Sequence, residues 1–126
     1  MKKELEEIQK FLEINVSEDM NEITERGSQL SVYIARTGKM LADAKLILDA
    51  KMNSEIMETL RKVAKENPMA TSTTINKLVN SLCAEEQFVL SWAERSNKTA
   101  THQLDWLRTL VSKAKQDRYY TSGIKQ

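Results

Sequence analysis

The residues best suited to chemistry are cations near the C-terminal end of the chain, interleaved with tyrosines. Arg118 directly precedes Tyr119 and Tyr120, and Lys113 and Lys115 lie within two helical turns before them. This mixture is typical of proteins that bind single-stranded nucleic acid, because bases stack on aromatic rings while phosphates meet cations. The predicted nucleic-acid-binding residues are Arg95, Lys98, Arg108, Lys113, Lys115, Arg118, Tyr119 and Tyr120. The same cations are also consistent with an ordinary helix C-terminus, where the helix dipole favours positive charge.

A second group of polar and basic residues is predicted where two helices of a hairpin would face each other. A turn near residues 68–70 would bring Arg36 opposite His102 and Lys39 opposite Thr99. Cations beside hydrogen-bonding groups suit a phosphate, so this group is an alternative, nucleotide-binding site. Its predicted ligand-binding residues are Arg36, Gly38, Lys39, Lys98 and His102. A solvated helix face would give the same pattern.

Catalytic and metal chemistry has little support in this sequence. His102 is the single histidine and Cys83 the single cysteine, and about 28 Å would separate them along one helix. One histidine and one cysteine cannot supply the ligands of a structural zinc site. The three glycines are too scattered for a phosphate-binding loop. We therefore expect a protein that is not an enzyme, with no catalytic residues, no metal and no cofactor.

Length and charge narrow the class of protein further. The 126 residues suffice for one domain, and 19 Lys+Arg against 18 Asp+Glu give a net charge of +1. A net charge so close to zero does not predict a general attraction to nucleic acid or anionic lipid. Residues 71–126 nevertheless carry 8 basic and 5 acidic groups, a net charge of +3. No apolar run approaches the roughly 20 residues of a membrane helix. We expect a soluble, cytoplasmic protein with no membrane partner.

Three helical segments would position these residues. Pro68 is the only proline, and no dipeptide typical of a hairpin turn occurs, so strands are not expected. The single predicted domain, residues 1–126, comprises a short helix at 1–15 and two long helices at 17–66 and 71–120.

Apolar residues recur along the two long segments at spacings of three, four and seven, which is the pattern of packed helices, and the first segment carries one apolar stripe. The stripe of the first helix is Leu5, Ile8, Phe11 and Leu12. The seam of the second is Ile23, Gly27, Leu30, Ile34, Leu41, Leu48, Met52, Ile56 and Val63. The seam of the third is Ile75, Leu78, Leu82, Val89, Trp92, Thr99, Trp106 and Leu110. Ser17 is the predicted N-cap of the second helix, and Thr71 or Ser72 that of the third.

The two long helices most simply form an antiparallel hairpin, each arm about 70 Å long. Such a hairpin has too little interior to close its own core. We therefore expect an all-α helical bundle that is completed by homo-oligomerisation. A further break near Gly38 or around Ser96 would instead give a compact four-helix bundle. A stripe of small residues on the second helix indicates either close helix packing or a ligand groove: Gly27, Ser31, Ala35, Gly38 and Ala42.

Two stretches of the chain resemble small helical proteins encoded by bacteriophages and prophages. They are Tyr33–Lys45 (YIARTGKMLADAK) and Trp92–Arg108 (WAERSNKTATHQLDWLR). In size, long-hairpin pattern and basic third helix, the chain is also similar in layout to the UvsY-like phage recombination mediators. Those proteins are small, helical and oligomeric, bind single-stranded DNA and help to load a recombinase. The resemblance implies a phage accessory protein of the host cytoplasm that acts in recombination or replication.

Three functions are consistent with these observations. The first is a non-catalytic, oligomeric accessory protein that binds single-stranded DNA. The second is a phage counter-defence protein that sequesters a phosphorylated nucleotide signal. The third is a structural adaptor whose apolar seams bind a protein partner.

Overall fold

A computed structural model describes residues 1–66 and 69–124 of the chain, and the side chains as far as Tyr119. The described residues form four helices and no strand: α1 (Lys2–Leu12), α2 (Met20–Glu66), α3 (Ser72–Leu82) and α4 (Ala84–Ile124). The predicted all-α fold class is confirmed. None of the described helices is both long enough and apolar enough to span a membrane.

α2 and α4 form the predicted antiparallel hairpin. At one end the Lys51 ammonium lies 2.6 Å from a Glu86 carboxylate oxygen, and towards the other end Gly27 lies against Leu107. Between them, the Asn97 amide donates to the Thr37 hydroxyl at 3.0 Å. At the Asn97 and Gly27 contacts this register differs by about one helical turn from the predicted one, so the proposed facing of Arg36 with His102 and of Lys39 with Thr99 is wrong.

α1 lies along the hairpin and forms a three-helix section with α2 and α4. It runs parallel to α4, because Gln9 contacts Trp92 while the later Leu12 carbonyl contacts Gln103. It runs antiparallel to α2, because Glu4 contacts Arg36 while the later Phe11 carbonyl contacts Arg26. Its predicted stripe is buried at Leu5, Ile8 and Leu12, with Phe11 partly buried beside them. The core of this section consists of Leu5, Ile8, Leu12, Ile23, Leu30, Met40, Ala93, Ala100 and Leu107.

Small residues form the middle of the α4 face that enters this core. Ala93 and Ala100 are 0% exposed, and Ser96 is 2% exposed. Their short side chains allow the α4 backbone to approach its neighbours closely, because packed interiors leave few voids. The large aromatic side chains of α4 consequently lie on other faces, and Trp106, a member of the predicted seam, is 55% exposed.

The predicted third helix is divided in two at Cys83. This residue has φ −102° and ψ 13°, outside the helical range, and its side chain is completely buried. The break tilts α3 onto the C-terminal half of α2, where Val79 and Cys83 join Leu48 in a second, smaller core. Neither α2 nor α4 is interrupted near Gly38 or Ser96, so the alternative breaks do not occur.

The helix caps agree in part with the sequence. Thr71 caps α3 as predicted, since its hydroxyl accepts a hydrogen bond from the Thr74 amide at 3.2 Å. α2 begins at Met20 and is capped by Asp19, whose carboxylate accepts from the Glu22 amide at 3.3 Å. Ser17 instead accepts from the Asp19 amide at 3.1 Å and so stabilises the turn that leads into the cap. Asp and Ser are equally good N-caps, so residue type alone could not choose between them.

Candidate nucleic-acid interface

A line of aromatic and basic side chains follows the surface of α4. We call it the aromatic–basic stripe, and it consists of Phe88, Trp92, Arg95, Thr99, His102, Trp106 and Lys113. The spacings of three, four and seven residues keep these positions on one side of a helix. The stripe is about 38 Å long at 1.5 Å per residue. All of its members are exposed except Trp92, which is half-buried.

Two aromatic rings form a shelf at the N-terminal end of the stripe. The Phe88 and Trp92 ring centroids are 5.7 Å apart at an interplanar angle of 47°. The Trp92 indole N–H donates to the Gln9 side-chain oxygen at 3.4 Å, which ties the indole to α1. The Lys2 ammonium lies 6.0 Å from the Phe88 centroid. A cleft of about 390 Å³ opens here, lined by Gln9, Phe88, Ser91, Trp92 and Arg95.

This shelf has the chemistry required to bind a nucleobase and its phosphate. Phe88 is 56% exposed, so part of its ring can stack on a planar ligand. Arg95 lines the same cleft, and a guanidinium binds phosphate oxygens through two parallel hydrogen bonds. A second exposed ring, that of Trp106, lies about 21 Å further along α4 than Trp92. His102 and Lys113 are the neighbours of Trp106 on the stripe.

Between Phe88 and Lys113 the charged members of the stripe are cations, whereas at its C-terminal end Lys113 shares a cleft with Glu18 and Asp117. The acids of α4 between Phe88 and Lys113 are Glu94 and Asp105, and helical geometry puts both at roughly 100° or more from the midline of the stripe. Each acid is paired with a neighbouring cation: Glu94 with Lys98 at 3.2 Å and Asp105 with Arg108 at 3.1 Å. On α1, Glu13 accepts a hydrogen bond from Gln9 at 3.0 Å and so lies near the shelf.

The structure divides the predicted nucleic-acid-binding residues among different sides of α4. Arg95 and Lys113 lie on the stripe. Lys98 and Arg108 are exposed but form the ion pairs with Glu94 and Asp105. The remaining described members, Lys115, Arg118 and Tyr119, are exposed but point away from the stripe at 100° per residue. The side chain of Tyr120 lies outside the described residues.

The alternative nucleotide site does not come together. Arg36 makes two hydrogen bonds to the Glu4 carboxylate on α1, at 2.6 and 2.7 Å, and these bonds lower the pKa of Glu4 and raise that of Arg36. Lys39 pairs with Asp43 at 2.7 Å. Gly38 is exposed on α2, and His102 belongs to the stripe on α4. The cations that were expected to surround one phosphate are therefore either neutralised by carboxylates or separated.

A partly buried polar cluster holds the C-terminal end of α1. Arg26 donates from Nη2 to the Phe11 carbonyl at 3.3 Å and to the Gln103 side-chain oxygen at 2.8 Å. Gln103 donates from Nε2 to the Leu12 carbonyl at 2.8 Å. The last carbonyls of a helix lack partners within it, so these donors cap α1. Burial lowers the pKa of Arg26, whose guanidinium also lies 4.6 Å from the Phe11 ring.

Sequence reasoning missed both the cap of α1 and the stripe. Arg26 and Gln103 are far apart along the chain and belong to no motif, so nothing local could have paired them. The stripe did leave a signal, because Phe88, Trp92, Arg95, His102 and Trp106 follow heptad-like spacing. The predicted site instead combined cations that are close along the sequence. Residues one or two positions apart on a helix point in different directions, so these cations do not share one face.

The chain has no match among known protein families, characterised proteins or solved structures. Cys83 is completely buried, and the described residues include no group of three or more His, Cys, Asp or Glu side chains that could hold a metal ion.

Proposed function

We propose that the protein is a non-catalytic accessory protein that binds single-stranded DNA along the aromatic–basic stripe of α4. The observation that carries the proposal is the exposure of two large aromatic side chains, Phe88 at 56% and Trp106 at 55%, on a helix face that also bears Arg95 and Lys113. The half-buried Trp92 is a third ring of the same face. Exposed rings on a basic face are available for stacking, and a nucleobase has a matching flat apolar surface.

Binding would combine stacking with charge neutralisation. Bases stack on Phe88 and on Trp106, while Arg95 and Lys113 meet the phosphates and His102 is placed to donate a hydrogen bond to them. Two stacking sites at roughly 1–3 kcal/mol each would supply much of the affinity without reading the sequence of bases. The resemblance to phage proteins supports a role in recombination or replication in the cytoplasm of an infected host.

A labelled oligo-dT strand tests this proposal by fluorescence anisotropy at two salt concentrations. The double variant Phe88→Ala/Trp106→Ala should bind at least about tenfold more weakly, because two stacking surfaces are lost. Leu78→Ala on α3 is a matched control, because Leu78 is 50% exposed and lies off the stripe. Equal affinity of the double variant and the wild-type protein would refute the proposal, as would an affinity that does not fall with added salt.

The phosphorylated-nucleotide function receives no support from the geometry, since its residues are paired or separated. The adaptor function is favoured by one observation. The outer side of α2 carries Leu46, Met57 and Leu60, all of them exposed, and a protein surface would cover them.

A further inference from the structure

The side of α2 that faces away from the hairpin is an uncovered helix surface. We call it the α2 outer face, and its C-terminal half consists of Leu46, Ala50, Asn53, Met57, Leu60 and Ala64, which are all exposed. Their spacings alternate between four and three residues, which is the repeat by which two helices pack along a seam. Leu46 is 70% exposed, Met57 56% and Leu60 46%. The opposite side of this segment packs on α3 through Leu48, Met52 and Ile56.

The N-terminal half of the same face carries only small residues. Ser31, Ala35, Gly38 and Ala42 continue the seam towards the start of α2, and all four are exposed. They are the greater part of the small-residue stripe that the sequence shows. Of these four residues, Gly38 has room for a Cβ atom within the chain, since that atom would lie 3.9 Å from its nearest neighbour, the Asn97 amide of α4.

We propose that the α2 outer face binds the same face of a second copy of this chain, with the two α2 helices antiparallel. In that arrangement the small half of each helix lies against the large half of the other. With the two-fold axis beside residues 47 and 48, Ala35 meets the partner's Leu60, and Gly38 meets the partner's Met57. Ala42 meets the partner's Asn53. The proposal does not depend on nucleic-acid binding, because the stripe lies on α4.

Charge complementarity supports this pairing. In the same register Lys45 of each copy lies within one residue, about 1.5 Å along the axis, of the partner's Asp49 and on the same flank of the seam, which gives two symmetry-related ion pairs. Lys45 and Asp49 are both exposed, and neither forms an ion pair within the described part of the chain. A parallel arrangement would put Lys45 beside the partner's Lys45 and lose both pairs.

The size of the face is sufficient for a specific dimer. From Ser31 to Ala64 it is about 50 Å long, and a helix contact is about 10 Å wide. Each copy would therefore bury roughly 500 Å², or roughly 1,000 Å² in total, which reaches the lower limit for a biological interface.

Light scattering after size exclusion tests the proposal with the full chain. We expect a mass of twice 14.5 kDa, that is 29 kDa, for the wild-type protein and 14.5 kDa for Met57→Glu/Leu60→Glu. Leu78→Glu is the matched control, since Leu78 is equally exposed on α3, and it should leave the mass unchanged. Circular dichroism should show the same helix content in all three proteins. A wild-type monomer, or a Met57→Glu/Leu60→Glu variant with the wild-type mass, would overturn the proposal.

Cysteine cross-linking tests the orientation of the two helices. Under mild oxidation Ala35→Cys/Leu60→Cys should form a disulfide-linked dimer, because the two positions face each other across the antiparallel seam. Leu60→Cys alone should not, because its two copies would be roughly 37 Å apart. Efficient cross-linking of Leu60→Cys alone would show a parallel pair and overturn the proposed arrangement.

A charge swap tests the ion pairs separately. Asp49→Lys should weaken the dimer at low salt, and Lys45→Asp/Asp49→Lys should restore it, because opposite charges then face each other again. Failure of the double variant to restore the dimer would overturn the assigned register.

Discussion

Arg26 of α2 and Gln103 of α4 meet beneath the C-terminal end of α1, with the guanidinium Nη2 2.8 Å from the amide oxygen. Between them they donate to the carbonyls of Phe11 and Leu12. A single pair of side chains thus joins all three helices of the three-helix section. It also fixes how far α1 extends along the hairpin, because only the end of a helix exposes unpaired carbonyls.

Replacing Gln103 should therefore loosen α1. Gln103→Ala leaves the Leu12 carbonyl without its donor and removes one acceptor of the Arg26 guanidinium, which should lower the free energy of unfolding by roughly 1–3 kcal/mol. Urea unfolding at a fixed protein concentration measures this change, and hydrogen exchange of the α1 amides should become faster. Gln116→Ala, on an exposed part of α4, should change stability by less than about 0.5 kcal/mol. Equal stabilities of the two variants would contradict the capping role.

The ion pair between Glu4 and Arg36 should make stability depend on pH in the acid range. Hydrogen bonds from Arg36 hold the pKa of Glu4 below its ordinary value of 4.5. A carboxyl whose pKa is depressed by folding stabilises the folded state above its unfolded pKa, and this contribution is lost as the pH falls through its folded pKa. The unfolding midpoint in urea should thus fall more steeply between pH 5 and pH 3 for the wild-type protein than for Arg36→Gln.

A matched variant separates this pair from general acid effects. Arg61→Gln removes an exposed arginine of α2 that forms no ion pair within the described residues, so its pH profile should follow that of the wild-type protein. Parallel profiles for all three proteins would show that the contact between Glu4 and Arg36 does not form in solution.

Gly27 offers a test of the small-residue stripe. A Cβ atom there would lie 3.8 Å from Leu104 and from Leu107, which is ordinary van der Waals contact. Because glycine inside a helix costs roughly 0.5–1 kcal/mol relative to alanine, Gly27→Ala should stabilise the protein by about that amount and raise the melting temperature by a few degrees. Ala35→Gly, the reverse change on the same helix, should lower it. A destabilised Gly27→Ala would mean that the helices approach more closely than the structure shows.

Much of the fold could be predicted because its signals are local. The scarcity of glycine and proline, the stripe through Leu5 and Ile8, and the Thr71 cap each follow from neighbouring residues. The break at Cys83 could not, since its surroundings contain no glycine or proline, and the only local signal is the pair of acids Glu85 and Glu86 in the first turn of α4.

The candidate site was harder to predict because it depends on how α4 is rotated. Hydrophobicity predicts that the largest apolar side chains face inward, and this rule failed at Trp106. The buried positions are instead Ala93, Ser96 and Ala100, whose small size allows close helix contacts that a hydrophobic seam does not indicate. The rotation of α4 about its own axis decides which cations lie on one face. Because the predicted rotation was wrong, the predicted binding residues were assigned to the wrong sides of the helix.

Two lysines that are two positions apart on α4 provide the sharpest test of that rotation. Lys113 lies on the aromatic–basic stripe, whereas Lys115 is turned by roughly 200° around the helix axis. Lys113→Glu should weaken binding to oligo-dT. It should also make the binding constant less sensitive to salt: the slope of log K against log salt concentration should become shallower by about 0.7 for each phosphate contact that is lost. Lys115→Glu carries the same change in net charge and should bind almost as the wild-type protein does. Equal loss in both variants would mean that net charge drives binding and that the stripe is not the interface, whereas a larger loss in Lys115→Glu would move the interface to the opposite side of α4.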